Sequence, residues 1–515
     1  MTQNQSTTDE LSFPSITPGA VRQTLLDRRE IALIDVREED PFAQCHPLWA
    51  ANFPLSKLEL QAWARIPRRD TLIVVYGEHD GVDLAPRAAA VLHRLGYTDV
   101  RLLDGGLDGW LDAGGEVFRD VNVPSKAFGE LVESRRHTPS LSAEEVQALL
   151  DARADVVVLD VRRFDEYRTM SIPTATSVPG GELVLRAREL APDPNTRIIV
   201  NCAGRTRSII GTQSLVNAGI PNPVSALRNG TIGWTLAGQQ LDHGADRTAP
   251  PSVDPANREQ ARRGARAIAE RAGVKWVRHT DLPTLDEPGR TTYRFDVRLQ
   301  AEYEQGHLPG FQHAPGGQLV QETDHNAPVR GARIVLADDD GVRANMTGSW
   351  LAQMGWETWV VEPVDSAAAD VYSETGQPAM AVPEPPAATT VAPAVLAAWL
   401  AEGSESEVAV LDVGPGVNYV ARHIPGAWFA IRAQLDAALR RIPPARRYVL
   451  TCGGSPTRRC WCSKAATRPG SPPACRRSRA RPGLLFRAPT AIAGPMKVPT
   501  TPGRRCRLTS IGNTV

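Results

Sequence analysis

One short phrase recurs four times along the 515 residues. It reads ALIDVRE ending at Glu38, VVLDVRR ending at Arg163, YRFDVRL ending at Leu299 and AVLDVGP ending at Pro415. Its acid falls at Asp35, Asp160, Asp296 and Asp412, in steps of 125, 136 and 116 residues. Such steps are too long for a solenoid and suit whole domains. A second phrase follows each copy: LIVVYG to Gly77, RIIVNC to Cys202, RIVLAD to Asp338 and YVLTC to Cys452. It ends 42 residues after the acid in the first three copies and 40 after it in the fourth. A spacing held across otherwise divergent segments means one fold used four times.

Each repeat alternates strand and helix signals, best seen in the second. Ser142 with Glu145 three residues on makes a capping box, and Val146, Leu149 and Leu150 follow on one helical face. VVVLDV and RIIVN are continuous apolar runs, as expected of strands covered on both faces. SIIGTQSLVNAG reads as a helix closed by Gly219, and PVSAL as a third strand. The expected fold is therefore α/β: tandem parallel sheets with helices on both faces, the last unit incomplete. We expect repeats at 17–125, 137–245, 256–365 and, in part, 388–455, then an irregular basic tail at 456–515. TAPPSVDP (248–255) and the Pro/Ala-rich stretch at 377–393 read as flexible or extended connectors. The boundary at 120–139 carries a weaker signal.

Composition removes several function classes. Lys and Arg number 58 and so do Asp and Glu, which leaves no electrostatic case for a nucleic-acid binder. No apolar run approaches the ~20 residues that span a bilayer, and the N-terminal segment lacks the basic and apolar regions of a secretion signal. Seven cysteines are too few for a disulfide scaffold, so a cytoplasmic, reducing setting is expected.

The chemistry concentrates at Cys202-Ala203-Gly204-Arg205-Thr206-Arg207-Ser208. In a parallel α/β sheet ligands sit at the carboxyl ends of strands, and Cys202 is placed there. The chain leaves a strand and enters a helix, so unpaired N–H groups and the positive end of the helix dipole gather at the loop. Gly204 is expected to let the backbone turn sharply, and two arginines add full charge. A thiol in such a setting ionises easily, and the same cradle attracts anions. No adjacent general base is needed, because the sulfur is ionised before substrate arrives.

A DVR phrase paired with a strand, a cysteine loop and a helix about forty residues later resembles rhodanese domains, the sulfurtransferases. The resemblance spans roughly 17–455 and is strongest in repeat two: DVRRFDEY at 160–167, the loop CAGRTR, and NGTIGW at 229–234. LDGGLDGW at 103–110 is the clearer copy of that last Gly/Trp element. The resemblance implies that Cys202 takes sulfane sulfur from a donor such as thiosulfate and carries it as a persulfide. It then passes the sulfur to a thiophilic acceptor, cyanide or a thiol. Arg207 is then the substrate-orienting loop residue and Arg205 a second anion contact, with Ala203, Gly204, Thr206 and Ser208 completing the loop. No cofactor or metal is implied. A protein partner can equally supply or accept the sulfur, and acceptors are expected to reach an exposed loop.

The other repeats depart from this pattern. Gly77 and Asp338 stand where Cys202 does, so repeats one and three read as catalytically silent scaffold; Asp338-Asp339-Asp340 would repel an anionic donor, although Arg343 holds the place of Arg207. Cys452 lies at the active position of repeat four, but no acid follows Asp436 and the sequence loses its helical period. The tail reads as an out-of-frame translation; the alternative is a basic segment that binds an acidic partner.

Structural roles are expected for Asp160, bonding loop backbone or an arginine, and for Arg162, paired with Glu166. Trp110 and Trp234 read as core residues, Cys45-His46 as no more than a chance pair, and a zinc site on Cys452, Cys460, Cys462 and Cys475 is disfavoured by the C-x-C spacing. Two other functions compete. One is a non-catalytic multi-repeat scaffold or sulfur sensor. The other is a cysteine-dependent phosphatase or arsenate reductase, which the C-x₄-R spacing of Cys202 and Arg207 disfavours against C-x₅-R.

Overall fold

The computed structural model describes residues 12–77, 84–363, 371–377, 382–384, 389–401 and 408–452. The basic tail with Cys460, Cys462, Cys475 and Cys506, the out-of-frame reading, and residues 378–381 and 385–388 of the second connector lie outside these residues.

The repeated phrases become neighbouring strands. In repeat two the sheet runs Ser140–Leu141, Val224–Leu227, Arg197–Asn201, Val156–Asp160, Thr176–Ser177, with every pairing parallel. Asp160 lies opposite Asn201, which brings the acid of the first phrase beside the end of the second. Repeat three repeats this order with Lys275–Val277, Glu357–Val361, Arg333–Ala337, Thr292–Asp296 and Gln312–His313.

The continuous apolar strands are covered on both faces, and the two faces use alternate residues. Leu159 and Val200 pack with Leu183, Ala187 and Leu215 on one side; Val158 and Ile199 pack with Val146, Tyr167 and Trp234 on the other. The capping box forms: Ser142 Oγ accepts from the Glu145 N–H at 3.2 Å, and a Glu145 carboxylate oxygen accepts from the Ser142 N–H at 2.7 Å. Gly219 closes the helix Thr206–Asn217 at φ +66°, as its position predicts.

By chain contacts the first three repeats, apart from Pro54–Leu58, form one compact part and the fourth, from Val382 on, belongs to another. Within the first part the repeats do not stand alone. Val342 and Met346 of repeat three, with Ala261, Ala265 and Ile268 of the helix Pro255–Arg271, belong to the same core face as Leu159 and Val200. Val329–Arg330 of repeat three pairs antiparallel with Ile31–Asp35, adding one antiparallel edge to an otherwise parallel sheet in repeat one.

The connector at 248–255, expected to be flexible or extended, is held down. The Arg186 guanidinium donates to the Pro250 and Pro251 carbonyls at 2.6 and 3.1 Å, and Val253 is buried in the shared core. The 120–139 boundary contains a fourteen-residue helix, Val123–Arg136.

Repeat four, described by itself, has a parallel three-stranded sheet over its described residues: Trp428–Phe429, Val408–Asp412, Arg447–Thr451. Cys452 directly follows Thr451, which lies opposite Asp412, so it occupies the place Cys202 has in repeat two. No helix among the described residues is long and apolar enough to cross a membrane.

Candidate active site

The framework under the loop is a clasp made from one phrase. Asp160, fully buried, accepts from the Arg162 backbone N–H at 3.1 Å, from its Nε at 2.9 Å and from its Nη2 at 2.7 Å. Arg162 Nη2 also donates to the Met170 carbonyl at 2.6 Å. Asn201 Nδ2 donates to Asp160 at 2.9 Å, tying the clasp to the residue before Cys202. Asp35 with Arg37 and Asp296 with Arg298 make the same clasp. Repeat four cannot, since Gly414 replaces the arginine. The expected direct pairing of Arg162 with Glu166 does not form: Arg162 Nε and Nη2 are taken by Asp160 and the Met170 carbonyl, and Glu166 bonds Arg207 instead.

Cys202 directly follows the strand Arg197–Asn201, Ala203, Gly204 and Arg205 form the bend, and Thr206, Arg207 and Ser208 make the first turn of the helix Thr206–Asn217. The carbonyls of Cys202, Ala203 and Arg205 are all hydrogen-bonded. Thr231 N–H donates to the Cys202 carbonyl at 2.9 Å and Ile232 N–H to that of Ala203 at 3.0 Å, while the Ser208 hydroxyl and Ile209 N–H donate to that of Arg205. With the carbonyl ends of these peptides taken up, their N–H ends point the other way, and the opening helix adds N–H groups with no helical partner.

The close approach depends on Gly230 rather than on Gly204. At Gly230 the backbone has φ +55° and a Cβ would fall 2.2 Å from the Cys202 carbonyl oxygen. At Gly204 a Cβ would meet nothing within 4 Å, so the expected need for glycine there is not found. The Gly/Trp element thus clamps the loop from outside, while Trp234 is fully buried and donates to the Gln240 carbonyl at 2.7 Å.

The sulfur is not on the surface. Cys202 is 2% exposed and its side chain belongs to the core cluster with Leu183 and Leu215, whereas Ala203 to Arg207 are half-buried. An exposed loop thiol was expected; the strand end carries the side chain inward, and the Gly230 helix covers its backbone. Cys202 Sγ lies 3.5 Å from Ser208 Oγ as its donor, and that hydroxyl donates in turn to the Arg205 carbonyl.

Both arginines are engaged by carboxylates. Arg207 makes a fork-to-fork pair with Glu166, at 2.9 and 2.8 Å. Burial works against ionised Glu166, but the Arg207 hydrogen bonds and charge, with Arg163 and Arg162, outweigh it and hold the carboxyl below its usual range. The Arg207 guanidinium, although buried, is held in its charged form by Glu166 and also by Cys202 and Asp160. Arg205, expected as a second anion contact, is held by Glu130 at 2.8 and 2.9 Å and by Glu133. The sequence reading missed Glu130 and Glu133: two acids a turn apart lay in a segment read as a boundary. A cavity of about 40 Å³ adjoins the first helical turn, lined by Thr206, Arg207, Gly211, Met346 and Trp350 among others. Cys202 does not line it.

Repeat three has the same framework with a different loop. Glu302 and Arg343, each 136 residues on from Glu166 and Arg207, pair at 2.6 Å. Asp338, in the place of Cys202, accepts from the Gly341 and Ala344 N–H groups at 3.1 and 2.8 Å. Asp340 accepts from the Val342 and Arg343 N–H groups at 2.6 and 3.1 Å. The expectation that these acids repel an anion understates the case, because they occupy the loop themselves. The Cys45-His46 pair is structural: the buried His46 ring bonds the Pro47 and Asp120 carbonyls at 2.8 and 2.9 Å and stacks on Phe42. Among the described residues no three metal-ligating side chains come together.

Comparison with known proteins accords with this architecture. The profile of the rhodanese-like domain matches residues 17–113, 142–237 and 284–362. A crystal structure of a thiosulfate sulfurtransferase from Pseudomonas aeruginosa is 63% identical over 85% of this chain and 82% of that one, with a TM-score of 0.82. Thiosulfate sulfurtransferase YnjE of Escherichia coli is 33% identical over 119 residues; the match spans 22% of this chain and 26% of that protein's length. The repeated Asp–Arg clasp, the strand-to-helix loop and these matches agree: the chain belongs to the rhodanese family.

Proposed function

We propose that the protein is a sulfurtransferase working through a persulfide on Cys202, with thiosulfate as donor and cyanide or a thiol as acceptor. The Cys202 thiolate attacks the outer sulfur of thiosulfate. The S–S bond of the donor breaks, its electron pair leaves with sulfite, and the sulfane sulfur stays on Cys202. An acceptor thiolate or cyanide then takes that sulfur and returns the Cys202 thiolate. Arg207, Arg205 and the N–H groups of Ala203 to Ser208 receive the donor's oxygens, and Asp160 with Arg162 holds the loop's base. Ser208 can turn its proton from the Arg205 carbonyl to the sulfur when the thiol ionises. Repeats one and three, in the division 17–125, 137–245 and 256–365, serve as scaffold.

One observation carries the reading: the carbonyls of Cys202, Ala203 and Arg205 are already taken up by hydrogen bonds, and a cysteine begins a loop whose counterpart in repeat three binds carboxylates. The test is mass measurement after incubation with thiosulfate. Cys202 should gain one sulfur atom, and Cys202→Ser should lose essentially all thiosulfate-to-cyanide transfer, since serine cannot hold sulfane sulfur. Hydrolysis of phosphate esters without sulfur loading would reverse the assignment.

The burial of Cys202 favours a second reading, a non-catalytic scaffold or sulfur sensor. Full biological output from Cys202→Ser would support it.

A further inference from the structure

We infer that Glu130 and Glu133 set the affinity for the anionic donor by competing with it for Arg205. The inference rests on the sulfur-transfer reading above. Both acids lie on the helix Val123–Arg136, one turn apart, which places them on one face. Glu130 takes Arg205 fork to fork and Glu133 adds a further contact to Nη2. Two carboxylates thus meet one guanidinium, and the excess negative charge sits beside a loop built to receive an anion.

The Glu166–Arg207 pair is different in kind. Repeat three keeps it as Glu302–Arg343, so it belongs to the framework. Arg205 has no such counterpart: the residue 136 positions on is Gly341. The Glu130–Arg205–Glu133 group therefore accompanies the cysteine loop and is absent from the silent one. It is also open to exchange. Arg205, Glu130 and Glu133 keep 32%, 29% and 28% of their side chains exposed, so an anion from solvent can replace one carboxylate. Arg205 then trades carboxylate oxygens for the donor's oxygens on binding, and the glutamates recapture it as sulfite leaves. Repeat three makes the same substitution permanently, with Asp338 and Asp340 in place of a visiting anion.

The test uses the full chain with thiosulfate as donor and cyanide as acceptor. Glu130→Gln/Glu133→Gln should lower KM for thiosulfate about three- to tenfold, the scale of a partly solvated ion pair, without raising kcat. Inhibition by sulfite should tighten in parallel. Arg205→Gln should raise KM more in that double variant than in the wild type, a coupling that a purely structural role would not produce. Should the double variant fail to fold, Glu133→Gln alone reads the same KM. An arm that needs no turnover measures thiosulfate binding to Cys202→Ser by calorimetry, with and without the two glutamines; Kd should fall by the same factor. Tighter binding without sulfur loading on Cys202 of the parent chain would overturn the transferase reading and leave the competition standing. Sulfur loading with KM and Kd unmoved would overturn the competition.

Discussion

The loops of repeats two and three leave the same strand end, enter the same kind of helix and stand on the same Asp–Arg clasp. They differ in what meets their N–H groups. In repeat three, Asp338 and Asp340 accept from four of them and Arg343 closes over the acids. In repeat two the residues between Cys202 and Arg207 carry no acid, so the anion must come from outside or be the sulfur itself. A shared framework therefore does not carry a shared chemistry. In repeat three the loop's own acids fill the ring of amides, and the two loops differ at five of the six positions from Cys202 to Arg207.

The two arginines offer the sharpest way to break this comparison. Arg343 is 2% exposed and bonds Glu182, Glu302, Asp339 and Asp340. Arg343→Met would leave buried Asp340 without its arginine and Glu182 with only Arg186 of its two, and should cost about 3–5 kcal/mol in chemical denaturation. Arg207 answers to one half-exposed carboxylate. Arg207→Met should cost about 1 kcal/mol or less in stability while lowering thiosulfate-to-cyanide transfer by roughly tenfold or more through lost orientation of the donor. A reversed ranking, with Arg207→Met the more destabilising, would mean that both loops are structural.

Much of this contrast was legible before any coordinates. The four phrases and their constant spacing pointed to one α/β fold used repeatedly and gave Asp160 a structural role, while its place opposite Asn201 came only with the strand pairing. The choice of Cys202 and Arg207 as candidates, and of Asp338 as the residue standing where repeat two has its cysteine, followed from the same alignment of repeats. What was not legible were contacts between segments with no fixed spacing. Glu130 and Glu133 reach Arg205 from a helix more than seventy residues away, and Glu182 reaches Arg343 across two repeats. The inward turn of Cys202 was missed for a related reason: its neighbours in the loop are polar, while its side chain answers to Leu183 and Leu215 on other elements. Gly204 was credited with a role that belongs to Gly230, since sequence marks a glycine but not what lies against it.

Two buried aspartates carry the comparison from the loops to the contact between repeats one and three. Burial opposes ionised Asp340, yet the charge and hydrogen bonds of Arg343 hold it below the ordinary range. Asp324 has one carboxylate oxygen buried without a partner. Burial pushes it up to about 6, against which Arg65 helps and Glu322 hinders; the nearby Arg65 Nε is spent on the His325 carbonyl at 2.6 Å. A carboxyl with a raised value in the folded chain keeps its proton longer than in the unfolded chain, so its ionisation weakens the fold as pH rises from about 4 to about 6. Asp324→Asn should therefore raise Tm at pH 7.5, and the gain should shrink towards zero at pH 4. An equal gain at both values would place the effect in packing rather than charge.

The smallest expected effect separates the repeats at a turn. Thr174, exposed and β-branched, has φ +67°, where repeat three has Gly310 at +76° and repeat four has Gly426 at +80°. The turn is closed alike in both: Ala175 N–H donates to the Ile172 carbonyl at 3.1 Å, and Phe311 N–H to that of Leu308 at 3.1 Å. The hydrogen bond therefore does not compensate for the strain, which a side chain branched at Cβ suffers in the left-handed region and glycine does not. Thr174→Gly should relieve about 1–2 kcal/mol of strain and lose about half of that to the greater freedom of glycine in the unfolded chain. The net gain of about 0.5–1 kcal/mol is a rise in Tm, and Gly310→Thr should lower it by at least as much. If Thr174→Gly instead destabilises, the threonine makes a contact that outweighs its backbone. The cysteine-bearing repeat would then differ from repeat three at this turn by its surface contacts and not by stored strain.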